Sequence, residues 1–154
     1  MYSKEEKQRI NTQFWTGFKT FMSRTRSSNG RKMNWINYPS DVKFIYIRLE
    51  VDETSARFCF DIQAKDDGVR AIIWEQMEEL KNLLEAAMGT EGTWIEHASS
   101  PSVPAFSRIV WERKGVSIYD YGTYEEIFHF LRDRLVHFDA FYQDFKEILI
   151  NLAT

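Results

Sequence analysis

A chain of 154 residues, 44% hydrophobic and 16% aromatic, has enough apolar side chains for one folding unit with its own core, and 28% charged residues complete a globular balance that excludes a disordered tail or a collagen-like fibre. A formal charge of −3 excludes the strongly basic coat proteins and the strongly acidic polyanion mimics. Cys59 is the one cysteine, so no internal disulfide can close, and no apolar run approaches the ~20 residues that span a bilayer. With no signal-peptide core in Met1 to Glu6, the expectation is a cytoplasmic chain without membrane contact, folded as one domain over residues 1–154.

Ser3 three residues ahead of Glu6 forms a capping-box pattern, and Ile10, Phe14, Phe18, Phe21 and Met22 then recur at helical spacing. This helix should end within Arg24 to Gly30, where Ser, Asn and Gly favour turns. Trp35 and Ile36, just before Tyr38-Pro39, suit a short edge strand. From Val42 the period becomes two: Ile45, Ile47, Leu49 and Val51 share one side, and after Asp52 to Ser55 so do Ala56, Phe58, Phe60, Ile62 and Ala64. The pair predicts an antiparallel hairpin. Asp66-Asp67 caps a helix whose stripe is Val69, Ile72, Ile73, Met77, Leu80, Leu83, Leu84 and Ala87, with Gly89 as its stop. Thr93 to His97 and Phe106 to Arg113 read as another strand pair, with Lys114-Gly115 turning into Val116 to Tyr119. Thr123 with Glu126 offers a second capping box, followed by a helix reaching almost to the end of the chain. The expected fold is α+β, an antiparallel sheet of about four to six strands with three main helices packed on it, in the order α-β-β-α-β-β-α.

Phe14-Trp15 in the first helix, Trp35 after a basic loop, Arg57-Phe58-Cys59-Phe60-Asp61-Ile62, the acidic helix Trp74 to Met88, Trp94-Ile95-Glu96 and Phe106-Ser107-Arg108-Ile109 follow in an order that resembles the bacterial family called domain of unknown function 4268, over nearly the whole chain. In that family some members are the C-terminal part of longer proteins whose other part looks like an endonuclease, and others stand alone. The resemblance transfers no catalytic motif. It implies a module that binds or regulates rather than one that cuts.

Several constellations are candidates for chemistry. Glu112 and Lys114, two apart on one strand, point the same way, as a metal-dependent nuclease needs, and Glu96 on the preceding strand would be its upstream acid. Gly115 sets Lys114 at a hairpin mouth, which weakens that nuclease or hydrolase alternative. Asp61 and Lys65 flank another strand end with a poorer spacing. Glu126-x-x-His129 is half of a di-iron motif; the other half is missing, because Arg134 precedes His137 at the matching position. His97 lies near Ser99, Ser100 and Ser102, but no nucleophile elbow accompanies them, and Cys59 between Phe58 and Phe60 reads as a buried thiol. The sequence holds no glycine-rich phosphate loop, paired-cysteine zinc spacing or dinucleotide fingerprint, so no cofactor or resident metal is expected.

Charge segregation is the more informative feature. Through Trp35 the chain holds eight Lys and Arg against Glu5 and Glu6, whereas from Asp66 to Glu96 eight acids face Arg70 and Lys81. Arg24, Arg26, Arg31 and Lys32 sit in a polar loop ahead of Trp35 and Tyr38, a pairing of guanidinium groups and aromatic faces suited to nucleic-acid or other anion binding through phosphate contact and base stacking. A protein partner is also consistent, including the acidic helix of a second copy. Phe128, Val136, Tyr142, Leu149 and Ile150 widen the stripe of the last helix beyond one sheet face, so it is either sandwiched or the seam of a homodimer.

Overall fold

In the computed structural model, which describes residues 1–153, the Ser3 hydroxyl accepts the Glu6 amide at 3.1 Å and the Glu6 carboxylate accepts the Ser3 amide at 3.2 Å. The predicted capping box therefore opens helix α1, Lys4–Met22. The expected antiparallel hairpin follows as β1, Ile45–Val51, and β2, Ser55–Ile62, with Ile45 opposite Ile62 and Val51 opposite Ala56. Val42, Lys43 and Phe44 lie outside it, since Phe44 takes a positive φ of 77° that breaks the extended run.

Asp66 caps α2, Asp67–Glu79, as its spacing predicts, and Gly89 ends the acidic region in the left-handed conformation, φ 77°. The helix between them is two helices rather than one. Leu80, at φ −90° and ψ 0°, separates α2 from α3, Lys81–Met88, and its amide is shared by the Gln76 and Met77 carbonyls. Burial of Leu80, Leu84 and Met88 selects this break, with no Gly or Pro to announce it. Ile72 and Leu83, expected in the apolar stripe, are exposed.

β3, Thr93–Ala98, and β4, Phe106–Lys114, complete a four-stranded antiparallel sheet in the order β1-β2-β4-β3. The α+β class and broad element order stand as expected, with the split helix and a 3₁₀ turn at Tyr121–Thr123 as additions. Val116 to Tyr119 adds no strand, although Val116 and Ile118 are buried. Trp35 and Ile36 add none either: they lie in a turn, held by the Trp35 indole N–H donating to the Thr25 carbonyl at 2.9 Å.

The last helix, α4, spans Tyr124–Ala153. Its expected capping box is not formed by the named pair. The Thr123 hydroxyl bonds to Ser117 and to the Asp120 carbonyl, and Glu126 pairs with Arg113 at 2.7 Å. Phe138 packs against Phe58 and Phe60 on the helix-facing side of the sheet, and Phe128 meets Phe14, Phe18 and Phe21 of α1. Gly17 permits that second contact, for a Cβ there would stand 3.3 Å from the Phe128 ring. The wide stripe is thus largely absorbed by sheet and helix together, leaving Val136, Ile148 and Leu152 partly exposed. Among the described residues no helix is long and apolar enough to cross a membrane.

The opposite side of the sheet carries charge. Arg108 on β4 grips Asp61 on β2 with Nε at 2.7 Å and Nη2 at 2.9 Å and reaches Glu50 on β1 at 3.1 and 3.2 Å, while Arg57 pairs with Glu50 at 3.0 Å and with Asp52 at 2.9 Å. Burial raises the Asp52 carboxyl, but the Thr54 and Ser55 amides and Arg57 outweigh it and bring the pKa down to about 2 from an ordinary 3.8. A folded value below the unfolded one gives stability that is present above about pH 4 and lost as pH falls toward 2. The Asp52 side chain is 46% exposed, so solvent screening keeps the effect below about 1 kcal/mol. Asp52→Asn should lower the urea midpoint at pH 7 and leave it nearly unchanged at pH 2; an equal loss at both would contradict this account.

Candidate nucleic-acid interface

Helix α1 closes with the Ser23 amide on the Thr20 carbonyl, and the chain then doubles back through a turn in which the Gly30 amide donates to the Ser27 carbonyl at 2.8 Å and the Ser27 amide to the Arg31 carbonyl at 3.0 Å. Asp139 of α4 fixes this turn. Its carboxylate, 1% exposed, accepts the Ser27 hydroxyl at 2.9 Å, the Ser28 amide at 2.7 Å, the Tyr38 hydroxyl at 2.6 Å and the Gln143 amide at 3.1 Å. No cation pairs with it among the described residues, so neutral donors alone offset its desolvation. Burial, and then the bond to Asp139, push the Tyr38 phenol well above its ordinary range, so it remains a donor. Tyr142, also raised chiefly by burial, donates to the Ser40 carbonyl at 2.6 Å and holds the outgoing strand of the loop.

Between the two arms of the loop and the end of α1 lies a groove of about 770 Å³. Lys19, Arg24, Arg26 and Lys32 line it, all exposed, and no carboxylate does. Among the described residues none of these four cations has an ion-pair partner, whereas Arg48, Arg57, Arg70, Arg108 and Arg113 all do. A concave surface lined by one sign of charge concentrates its potential.

The structure thus brings together Arg24, Arg26, Lys32 and Trp35 from the sequence-derived set. Arg31 is exposed on the turn outside the groove lining, and Tyr38 lies beneath the loop on Asp139. One expectation needs correction. Trp35 and Tyr38 are only 4% and 5% exposed, so they serve as structural anchors and present no open ring face for stacking. Sequence reading missed Lys19, which belongs to the polar side of α1 and joins the loop cations only because the chain folds back beside it. It missed Asp139 too, whose position on the apolar side of α4 was the available signal: a carboxylate in such a stripe must find donors.

Glu96, Glu112 and Lys114 do not converge. The pairing of Trp94 with Ile109 and of Ile95 with Arg108 puts Glu112 on the charged side of the sheet, where it meets Arg57 at 3.7 Å. Glu96 lies where the β3–β4 register shifts, between Ile95 and Ala98, and borders a small cavity of about 270 Å³ on the helix side with Asp67 and Arg70 of α2, His97 and Ser107. Lys114 is exposed at the strand end. Asp61 is held by Arg108 while Lys65 is exposed, so that pair is not joined either. The Ser100 hydroxyl accepts the Val103 amide at 3.1 Å as a turn residue, and Ser99 and Ser102 do not line the His97 cavity. His129 packs edge-on against Phe21, and His137 Nδ1 sits 2.5 Å from the Asp133 carbonyl. Cys59 is buried, and burial pushes its thiol well above the ordinary range, which disfavours the nucleophilic thiolate. Among the described residues no group of three or more His, Cys, Asp or Glu is placed to hold a metal ion.

A family model described as Domain of unknown function (DUF4268) matches residues 10–146. No curated protein and no solved structure gives a significant match.

Proposed function

From a chain that belongs to the family described as domain of unknown function 4268, we propose a binding module that engages the phosphate backbone of nucleic acid through the groove at the end of α1. The observation that carries this reading is the cluster of Lys19, Arg24, Arg26 and Lys32 around one concavity whose lining holds no carboxylate. Lysine and arginine so placed attract a polyanion and release its condensed counterions on contact. Asp139 strengthens the case by holding the loop in shape, so less ordering entropy is lost when a ligand arrives.

The test is a fluorescence-anisotropy titration of a labelled oligonucleotide over a range of salt. Four phosphate contacts give a slope of log affinity on log salt of about −3. The triple variant Arg24→Gln, Arg26→Gln, Lys32→Gln alters exposed residues only, so its fold should persist. It should bind at least about tenfold more weakly at low salt, with a slope near −1. Unchanged affinity in that variant, or binding indifferent to salt, would remove the proposal.

A further inference from the structure

A groove that met phosphate alone would need only its charged rim, yet this one also has an apolar floor. Met33 and Ile36 are half-buried there, and the buried Met22 and Trp35 also border it. A methionine thioether packs well against the rim of a flat aromatic ring. Asn37 stands at the same wall. Its backbone amide donates to the Asn34 side chain at 3.1 Å, and its own exposed side-chain amide makes no hydrogen bond among the described residues. That amide offers one donor and one acceptor side by side, the pattern that pairs with the edge of a base. The volume, about 770 Å³, falls in the range of pockets that take a whole small organic molecule rather than an isolated oxyanion.

Resting on the phosphate-binding reading above, we infer that the groove seats an unpaired base together with its flanking phosphates, and that the nucleic acid it binds is single-stranded. The phosphates meet Arg24, Arg26 and Lys32, the face of the base lies on Met33 and Ile36, and its edge meets Asn37. In a duplex that face is stacked and that edge is paired, so a base would first have to be extruded. Because Trp35 and Tyr38 are buried, the floor holds the base by aliphatic and thioether contact instead of ring stacking.

Three labelled probes test this on the full chain, each titrated at several salt concentrations from low to moderate: a single-stranded oligonucleotide, the same sequence as a duplex, and a single strand carrying abasic sites. The intact single strand should bind about tenfold more tightly than either of the others. Asn37→Ala and Met33→Ala, at exposed and half-buried positions where folding is not at stake, should shrink that gap to about threefold or less while leaving duplex binding unchanged. Equal binding of all three probes with a steep salt dependence would overturn the single-strand assignment and leave phosphate contact standing. If none of the probes bound in a salt-dependent manner, both readings would fall.

Discussion

Asp139→Ala should lower the melting temperature by on the order of 10 °C, corresponding to a loss of about 3–5 kcal/mol for a chain of this size. The substitution removes one carboxylate and strands several donors at once. The Ser27 hydroxyl, the Ser28 amide and the Tyr38 hydroxyl all lose their acceptor in a region where Ser27 and Tyr38 are buried. Asp139→Asn should be milder, at about 1–2 kcal/mol, because one carbonyl acceptor survives while its amide turns a donor toward donors. The damage should be felt first in the loop. Trypsin should cut after Arg24, Arg26 or Arg31 much faster in Asp139→Ala than in the parent under native conditions, since these exposed bonds are protected by the shape of the turn. A melting temperature within about 2 °C of the parent, with unchanged proteolysis, would show that Asp139 does not organise this loop.

Arg108→Ala should be equally costly, at about 3–5 kcal/mol in denaturant unfolding at pH 7. Asp61 is 0% exposed and owes its close charge partner to Arg108; Arg48 approaches it only to 3.7 Å. Arg108→Lys keeps the charge but loses the planar fork that reaches Asp61 and Glu50 together, and should recover less than half of the stability. The double variant Arg108→Ala, Asp61→Asn should be more stable than Arg108→Ala alone, because the buried charge leaves with its partner. Glu50 adds a pH signature. Burial raises its carboxyl, but Arg57 and Arg108 outweigh burial and hold it below the usual range. Its contribution is therefore present at neutral pH and lost as pH falls through the carboxylate range, so the gap between Arg108→Ala and the parent should narrow in acid. A loss below about 1 kcal/mol at pH 7 would contradict the assigned role of the network.

Neither effect could be foreseen from the chain alone, although both residues were visible in it. Asp61 fell on the polar side of the β2 alternation, and its partner Arg108 belongs to a strand forty-seven positions away whose adjacency to β2 is set by the sheet order β1-β2-β4-β3. Nor did local spacing indicate whether Glu96 and Glu112 share a side of the sheet; the β3–β4 register decides that. At the groove, the loop cations were legible as a cluster. The loss of the stacking faces was not, because a tryptophan beside a basic loop looks the same in sequence whether its ring faces solvent or the Thr25 carbonyl.

What the sequence by itself determined was local: the Ser3 cap of α1, the alternating β1–β2 hairpin, the Asp66 and Gly89 limits of the acidic helical region, and the concentration of positive charge before Trp35. Those signals act over a few residues, through backbone hydrogen bonds and side-chain periodicity, and so can be read without the rest of the molecule. Tertiary structure alone decided the break at Leu80, the burial of Trp35 and Tyr38, the arrival of Lys19 beside the loop, and the carboxylates at positions 61 and 139. Each depends on which distant surface excludes water from the residue, and although the apolar side of α4 marks Asp139 as a carboxylate in need of donors, only the fold says which donors reach it.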